Sequence, residues 1–135
     1  VREVSSSFPS AIESVEAAAR IAAAFLSDGG YSEEFAYAVD LAVRESVANA
    51  VKHGNRFDET KPVELTLLDL GGGIEVLIRD HGNGFSPEDV PDPTDPENLL
   101  MASGRGILFM RTFMDSVEWS IAEGGGSLVR MRKLI

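Results

Sequence analysis

The chain has 135 residues, 44% apolar and 25% charged, the mix expected of one globular domain with a buried core. Acidic residues outnumber basic ones 22 to 12, and the net charge of −10 argues against binding to duplex nucleic acid or to an anionic membrane. With no cysteine, disulfide frameworks, zinc-thiolate sites and cysteine nucleophiles are excluded.

No apolar run approaches the ~20 residues of a membrane span. The opening VREVSSSFPS lacks the charged-then-apolar layout of a secretion signal. The expected setting is therefore a soluble, cytoplasmic one. Those first residues can supply an edge strand. Ser10 with Glu13 then reads as a capping box, and Ile12, Val15, Ala19, Ala22 and Leu26 recur at helical spacing until Asp28-Gly29-Gly30. Ser32, followed by Glu33 and Glu34, caps a second helix. Its apolar positions are Phe35, Val39, Val43, Val47, Ala50 and Val51, and its end is expected near His53-Gly54.

Beyond Pro62 the period changes to two. Val63, Leu65 and Leu67 predict one strand, Gly71-Gly72-Gly73 a turn, and Ile74, Val76 and Ile78 a second strand ending near Asp80. Residues 81–104 show no sustained period, and residues 80–98 hold six acids and no base. So long a loop in a compact domain suggests a lid or binding loop. A third helix is expected from Gly106 to Met114. A hairpin follows, with Val117, Trp119 and Ile121 on one strand, a turn at Gly124-Gly125-Gly126, and a last strand from Leu128 to Leu134. Trp119, Phe109 and Phe113 read as core residues, and Arg130, Arg132 and Lys133 as a solvated strand face. The predicted fold class is α+β, a two-layer sandwich with helices on one face of a mixed, largely antiparallel sheet.

Three local patterns carry chemistry. Glu45, Asn49 and His53 are spaced i, i+4, i+8 and form one polar stripe on the second helix. The stripe is either a solvated face or the wall of a site, in which a carboxylate accepts a proton and an amide oxygen ligates Mg²⁺. Asp80-His81-Gly82-Asn83-Gly84-Phe85 follows a strand, where an Asp can accept a hydrogen bond from an exocyclic amine and glycines admit a flat ring. Ser103-Gly104-Arg105-Gly106-Ile107 joins the long loop to a helix, as a hinge or as an anion site. No Walker A loop and no Gly-x-Ser-x-Gly elbow occurs.

In this order the three patterns resemble the N box and the two glycine boxes of the GHKL (Bergerat-fold) ATP-binding superfamily. Within it, the chain resembles the small anti-sigma factor serine-protein kinases of bacterial partner-switching systems. The resemblance implies a single kinase domain over residues 1–135, with an ATP lid at about 85–104 and with ATP and Mg²⁺ as cofactors. Glu45 would be the general base toward a substrate serine, and Asn49 the Mg²⁺ ligand. Asp80 would bind the adenine amine, with Gly82 and Gly84 shaping its pocket. Gly104, Arg105 and Gly106 would bind phosphate, and His53 would line the site without an assigned role. The implied partners are a STAS-type anti-sigma-factor antagonist and a sigma factor, with a homodimer allowed and no role for nucleic acid or membrane. The competing reading is a nucleotide-dependent binding module that switches partners without kinase activity, or one with a non-sigma target. A sensor histidine kinase is disfavoured, because both histidines lie inside the nucleotide motifs.

Overall fold

A computed structural model describes residues 2–82 and 106–135. Strand β1 (Glu3–Phe8) leads into helices α1 (Glu13–Asp28) and α2 (Glu33–Asn49), the latter extended by a π turn (Ala50–Gly54). Strands β2 (Val63–Asp69) and β3 (Gly73–Arg79) form a hairpin. Helix α3 (Gly106–Phe113) precedes a second hairpin, β4 (Ser116–Ile121) and β5 (Ser127–Leu134). The five strands make one sheet in the order β1-β2-β3-β5-β4, and every neighbouring pair is antiparallel. The helices pack on one face, as the expected two-layer α+β sandwich requires.

Alternation sets the layers. Leu65 lies opposite Ile78, Leu67 opposite Val76, and Val76 in turn opposite Met131. All of them are buried and point toward the helices. From α2, Phe35, Val39, Val43, Val47, Ala50 and Val51 meet this row, so each position in the predicted stripe is buried. Ser32 caps α2 as expected, its hydroxyl accepting the Phe35 N–H at 3.1 Å. Helix α1 packs on α2 through Ala18, Ala22 and Phe25, while Ile12, expected on its apolar face, is half exposed.

Three local readings need correction. Ser10 caps nothing: α1 begins after Ile12 without a side-chain cap, and the Ser10 hydroxyl donates to the Lys61 carbonyl. Arg130 and Arg132 are not simply solvated. They flank Glu75, whose carboxylate is almost wholly buried, at 2.8 and 3.4 Å. Burying that charge without its partners would be costly. Lys133 points to the other face and donates to the Phe113 carbonyl. In β4, Val117 and Trp119 pack against the core, whereas Ile121 is exposed.

Candidate functional site

Asp80 and Gly82, just past β3, meet Gly54 at the end of the π turn that extends the helix carrying Glu45 and Asn49. Glu45 and Asn49 lie one α-helical turn apart, so their side chains share a face. The winding then changes. Asn55 N–H reaches the Ala50 carbonyl at 2.8 Å, an i to i+5 bond that closes the π turn. Such wide turns in helices recur at functional sites. The widened turn breaks the strict i, i+4, i+8 stripe at its last member, so His53 does not continue the Glu45–Asn49 row in an α-helical phase.

Asn49 speaks against a purely solvated stripe. It is 4% exposed, and its carboxamide nitrogen has no hydrogen-bond partner among the described residues. A solvated face would not bury it, and an unsatisfied buried amide costs ~1–3 kcal/mol. Unsatisfied buried groups are rare in folded proteins, so this one calls for a partner beyond the described residues, whether water, ion or ligand. Glu45 is half-buried, and burial pushes its carboxyl above the ordinary range, partly offset by the Lys52 ammonium. Burial, and then Lys52, hold the His53 imidazole below its usual value. Glu45 also lines a groove of about 530 Å³ between α1 and α2, shared with Ile12, Val15, Glu16, Arg44, Ala48 and Lys52. Arg44 spans this groove, pairing with Glu16 at 2.6 Å and Asp40 at 3.0 Å.

Asp80 is the second centre. It is 2% exposed, and its Oδ1 accepts the N–H groups of Gly82 and Ser127, each at 3.1 Å. Burial outweighs these bonds and raises its carboxyl above the ordinary value. Three stretches of backbone press together around it. A Cβ on Gly54 would overlap the Asp80 carboxylate, one on Gly82 the Gly54 carbonyl, and one on Gly126 the Asp80 carbonyl. Gly126 also has φ +82°, a conformation that side chains resist. Gly82 lies two residues after the Asp80 side chain whose Oδ1 accepts its N–H. Gly54 and Gly126 were read as a helix end and a turn, and their contact with Asp80 has no one-dimensional signal.

Asn55 carries no signal in the sequence, and the structure ties it to His81. Asn55, 2% exposed, accepts the His81 N–H at 2.8 Å through Oδ1. Its Nδ2 approaches the Ser10 hydroxyl and the carbonyls of Lys61 and Pro62 at 2.7 to 3.0 Å. The His81 ring pairs with Glu64 at 2.9 Å. Gly106 opens α3. Gly84, Gly104, Arg105 and the lid at 85–104 lie outside the described residues. Among the described residues, no helix is long and apolar enough to cross a membrane, and no cluster of three or more His, Asp or Glu side chains is built to hold a metal.

A helical layer on an antiparallel sheet, an acid and an unpartnered amide near a helix end, and a glycine-walled carboxylate at a strand end are the features to set beside known proteins. The chain belongs to the histidine kinase-like ATPase domain family, which matches residues 8–133. Membership of this GHKL class implies ATP binding. The chain is 34% identical over 125 residues to an anti-sigma F factor of Clostridium botulinum (strain Eklund 17B / Type B), covering 87% of this chain and 85% of that protein. It is 32% identical over 129 residues to an anti-sigma F factor of Anoxybacillus flavithermus (strain DSM 21510 / WK1), covering 92% and 87%. The serine-protein kinase RsbW of Bacillus licheniformis is 31% identical over 101 residues, covering 70% of this chain and 63% of that protein. The chain therefore falls in the branch that holds anti-sigma factors and RsbW-like serine kinases.

Proposed function

We propose that this protein is an ATP-dependent serine-protein kinase and anti-sigma factor. Its phosphoacceptor is a serine on a STAS-type antagonist, and its second partner is a sigma factor. The observation that carries this reading is Glu45, a half-buried carboxylate of raised basicity one turn from the orphaned amide of Asn49. The serine hydroxyl approaches Glu45 from the groove between α1 and α2. Its oxygen attacks the terminal phosphorus of ATP, the bond to the bridging oxygen breaks, and ADP departs with that electron pair. The serine proton passes to Glu45. Transfer of this kind needs positioning and charge neutralisation more than covalent chemistry.

Asp80 receives the adenine amine, and Gly82 lets the ring lie against backbone. In this reading the domain spans residues 1–135. Gly84, Gly104, Arg105 and Gly106 complete the nucleotide site from the lid side, and His53 lines it. The Asn49 carboxamide oxygen is a fitting ligand for Mg²⁺, which takes one or two protein oxygens and completes its shell with phosphate and water. Bound there, the metal would neutralise charge on the phosphates.

The test incubates the purified protein and labelled ATP with a STAS-type partner. Phosphoserine on the partner is expected. A nucleotide-dependent complex with no phosphoserine would instead establish a binding module.

A further inference from the structure

Asn55 is the most fully engaged polar side chain near the base site, and no catalytic step uses it. It sits one residue beyond the π turn, and its carboxamide joins three stretches of chain, at Ser10, at Lys61–Pro62 and at His81. Oδ1 accepts the His81 N–H, while Nδ2 reaches Ser10, Lys61 and Pro62. Ser10 closes the network with its own bond to the Lys61 carbonyl. His81 stands between Asp80, whose carboxylate lies against Gly54 at the end of the π turn, and Gly82, whose backbone lies against the Gly54 carbonyl.

The consequence is geometric. Gly82 has no side chain to lock it, and its backbone lies against the Gly54 carbonyl. The peptide from Asp80 to Gly82 is therefore held by the Asp80 carboxylate on one side and by Asn55 on the other. A primary amide suits the second post. It offers one acceptor toward His81 and two donors toward carbonyls, which a carboxylate or a hydroxyl cannot do together. Its burial removes water as a substitute for any of these bonds.

We propose that Asn55 is a positioning residue for nucleotide-base recognition, acting through the His81 peptide to aim Asp80 and Gly82. The proposal rests on the reading of Asp80 as the adenine contact. Removing the carboxamide frees the His81 N–H and lets the strand end drift from Gly54. Base affinity falls while the transfer machinery on α2, one to three turns away, stays in place.

The test compares Asn55→Ala, Ser10→Ala and Asp80→Asn by calorimetry with ATP and by thermal melting. Asn55→Ala is expected to weaken ATP binding at least tenfold and to raise the KM for ATP by a similar factor, with kcat within about twofold. Ser10→Ala cuts the same network at its far end, so it is expected to lower the melting temperature while leaving ATP affinity within about twofold. If Asn55→Ala does not fold, Asn55→Ser carries the same comparison. The double variant with Asp80→Asn should weaken ATP binding little more than either single change, because both act on one contact. Unchanged ATP affinity in a folded Asn55 variant would overturn the proposal, as would a fall in kcat at constant KM, or an equal loss of affinity in Ser10→Ala. Unchanged affinity in Asp80→Asn alone would instead remove the base-site reading beneath it.

Discussion

Gly82 rests against the carbonyl oxygen of Gly54, so closely that a methyl group on Gly82 would overlap it. One glycine ends the helix that carries Glu45 and Asn49, and the other follows the strand that carries Asp80. In the proposed function, their contact would set the separation between the catalytic and base-binding halves of the site. Gly82→Ala must push backbone against backbone, and overpacking of that kind costs ~1–3 kcal/mol. We expect a lower melting temperature together with ATP affinity reduced by about 5- to 140-fold if that cost falls on the bound state, at 1.4 kcal/mol per decade. Calorimetry showing native affinity would mean that the two halves move independently.

Glu45→Ala should abolish phosphate transfer while ATP still binds. The loss should be about 100-fold or more, the range for removal of a general base. Because burial raises the Glu45 carboxyl, the base is protonated, and transfer lost, at a higher pH than an exposed glutamate would allow. The rate should therefore rise with pH through a step above the ordinary value of 4.5. A pH profile with no such step, or transfer retained in the variant, would take the base role from Glu45.

Asp80→Asn should separate stability from binding. Burial raises the folded pKa of Asp80 above its ordinary 3.8. The ionised carboxylate therefore weakens the fold at neutral pH, and the penalty is relieved as pH falls through the folded value. Asparagine carries no charge and can still accept both N–H bonds. The nucleotide-free variant should melt higher than the parent and yet bind ATP more weakly. A lower melting temperature with full affinity would contradict both halves of this expectation.

Asn49→Ala removes a side chain whose nitrogen bonds to nothing among the described residues. Its effect on nucleotide-free stability should be small, less than the ~1 kcal/mol of an ordinary hydrogen bond. The effect on ATP should be large when Mg²⁺ is present and slight when it is chelated. Titrations at the two conditions read this difference directly, and equal losses would argue against a metal ligand at Asn49.

At the opposite end of the molecule Asp69 is held down to about 2, first by Arg2 at 2.8 Å, then by the Gly71 N–H and the Tyr31 hydroxyl. Its folded pKa lies below the ordinary 3.8, so the contribution is complete above that value and lost as pH falls toward about 2. Asp69→Asn should flatten the acid limb of the melting-temperature profile in that window. An unchanged limb would assign acid sensitivity to other carboxylates.

The layers were legible because the signals that set them are local. Leu65 and Leu67 alternate with Glu64 and Thr66, and the hydroxyl of Ser32 lies three residues from the N–H that it accepts. Ser10 carried an equally good local signal and was misread, because its true partners are Lys61 and Asn55, brought near only by the fold. The π turn was invisible for a related reason. Ala50–Gly54 is ordinary helical sequence, and its extra width is set by where Gly54 and Asn55 must meet β3. Glu45, Asn49, Asp80 and Gly82 could be chosen from spacing and resemblance. Their supports, Gly54, Asn55 and Gly126, could not, since they are defined by contacts across 26 to 47 residues.

Strand β5 lies between β3 and β4, although the chain makes it after both. Among the described residues, strand β4 pairs with β5 and with no other strand. The Ser127 N–H that holds Asp80 also comes from β5. A chain lacking this strand thus loses a sheet edge and the anchor of the base pocket together. In the proposed function, ATP capture would therefore require β5 to be in place, and a chain with an incomplete sheet would not sequester nucleotide.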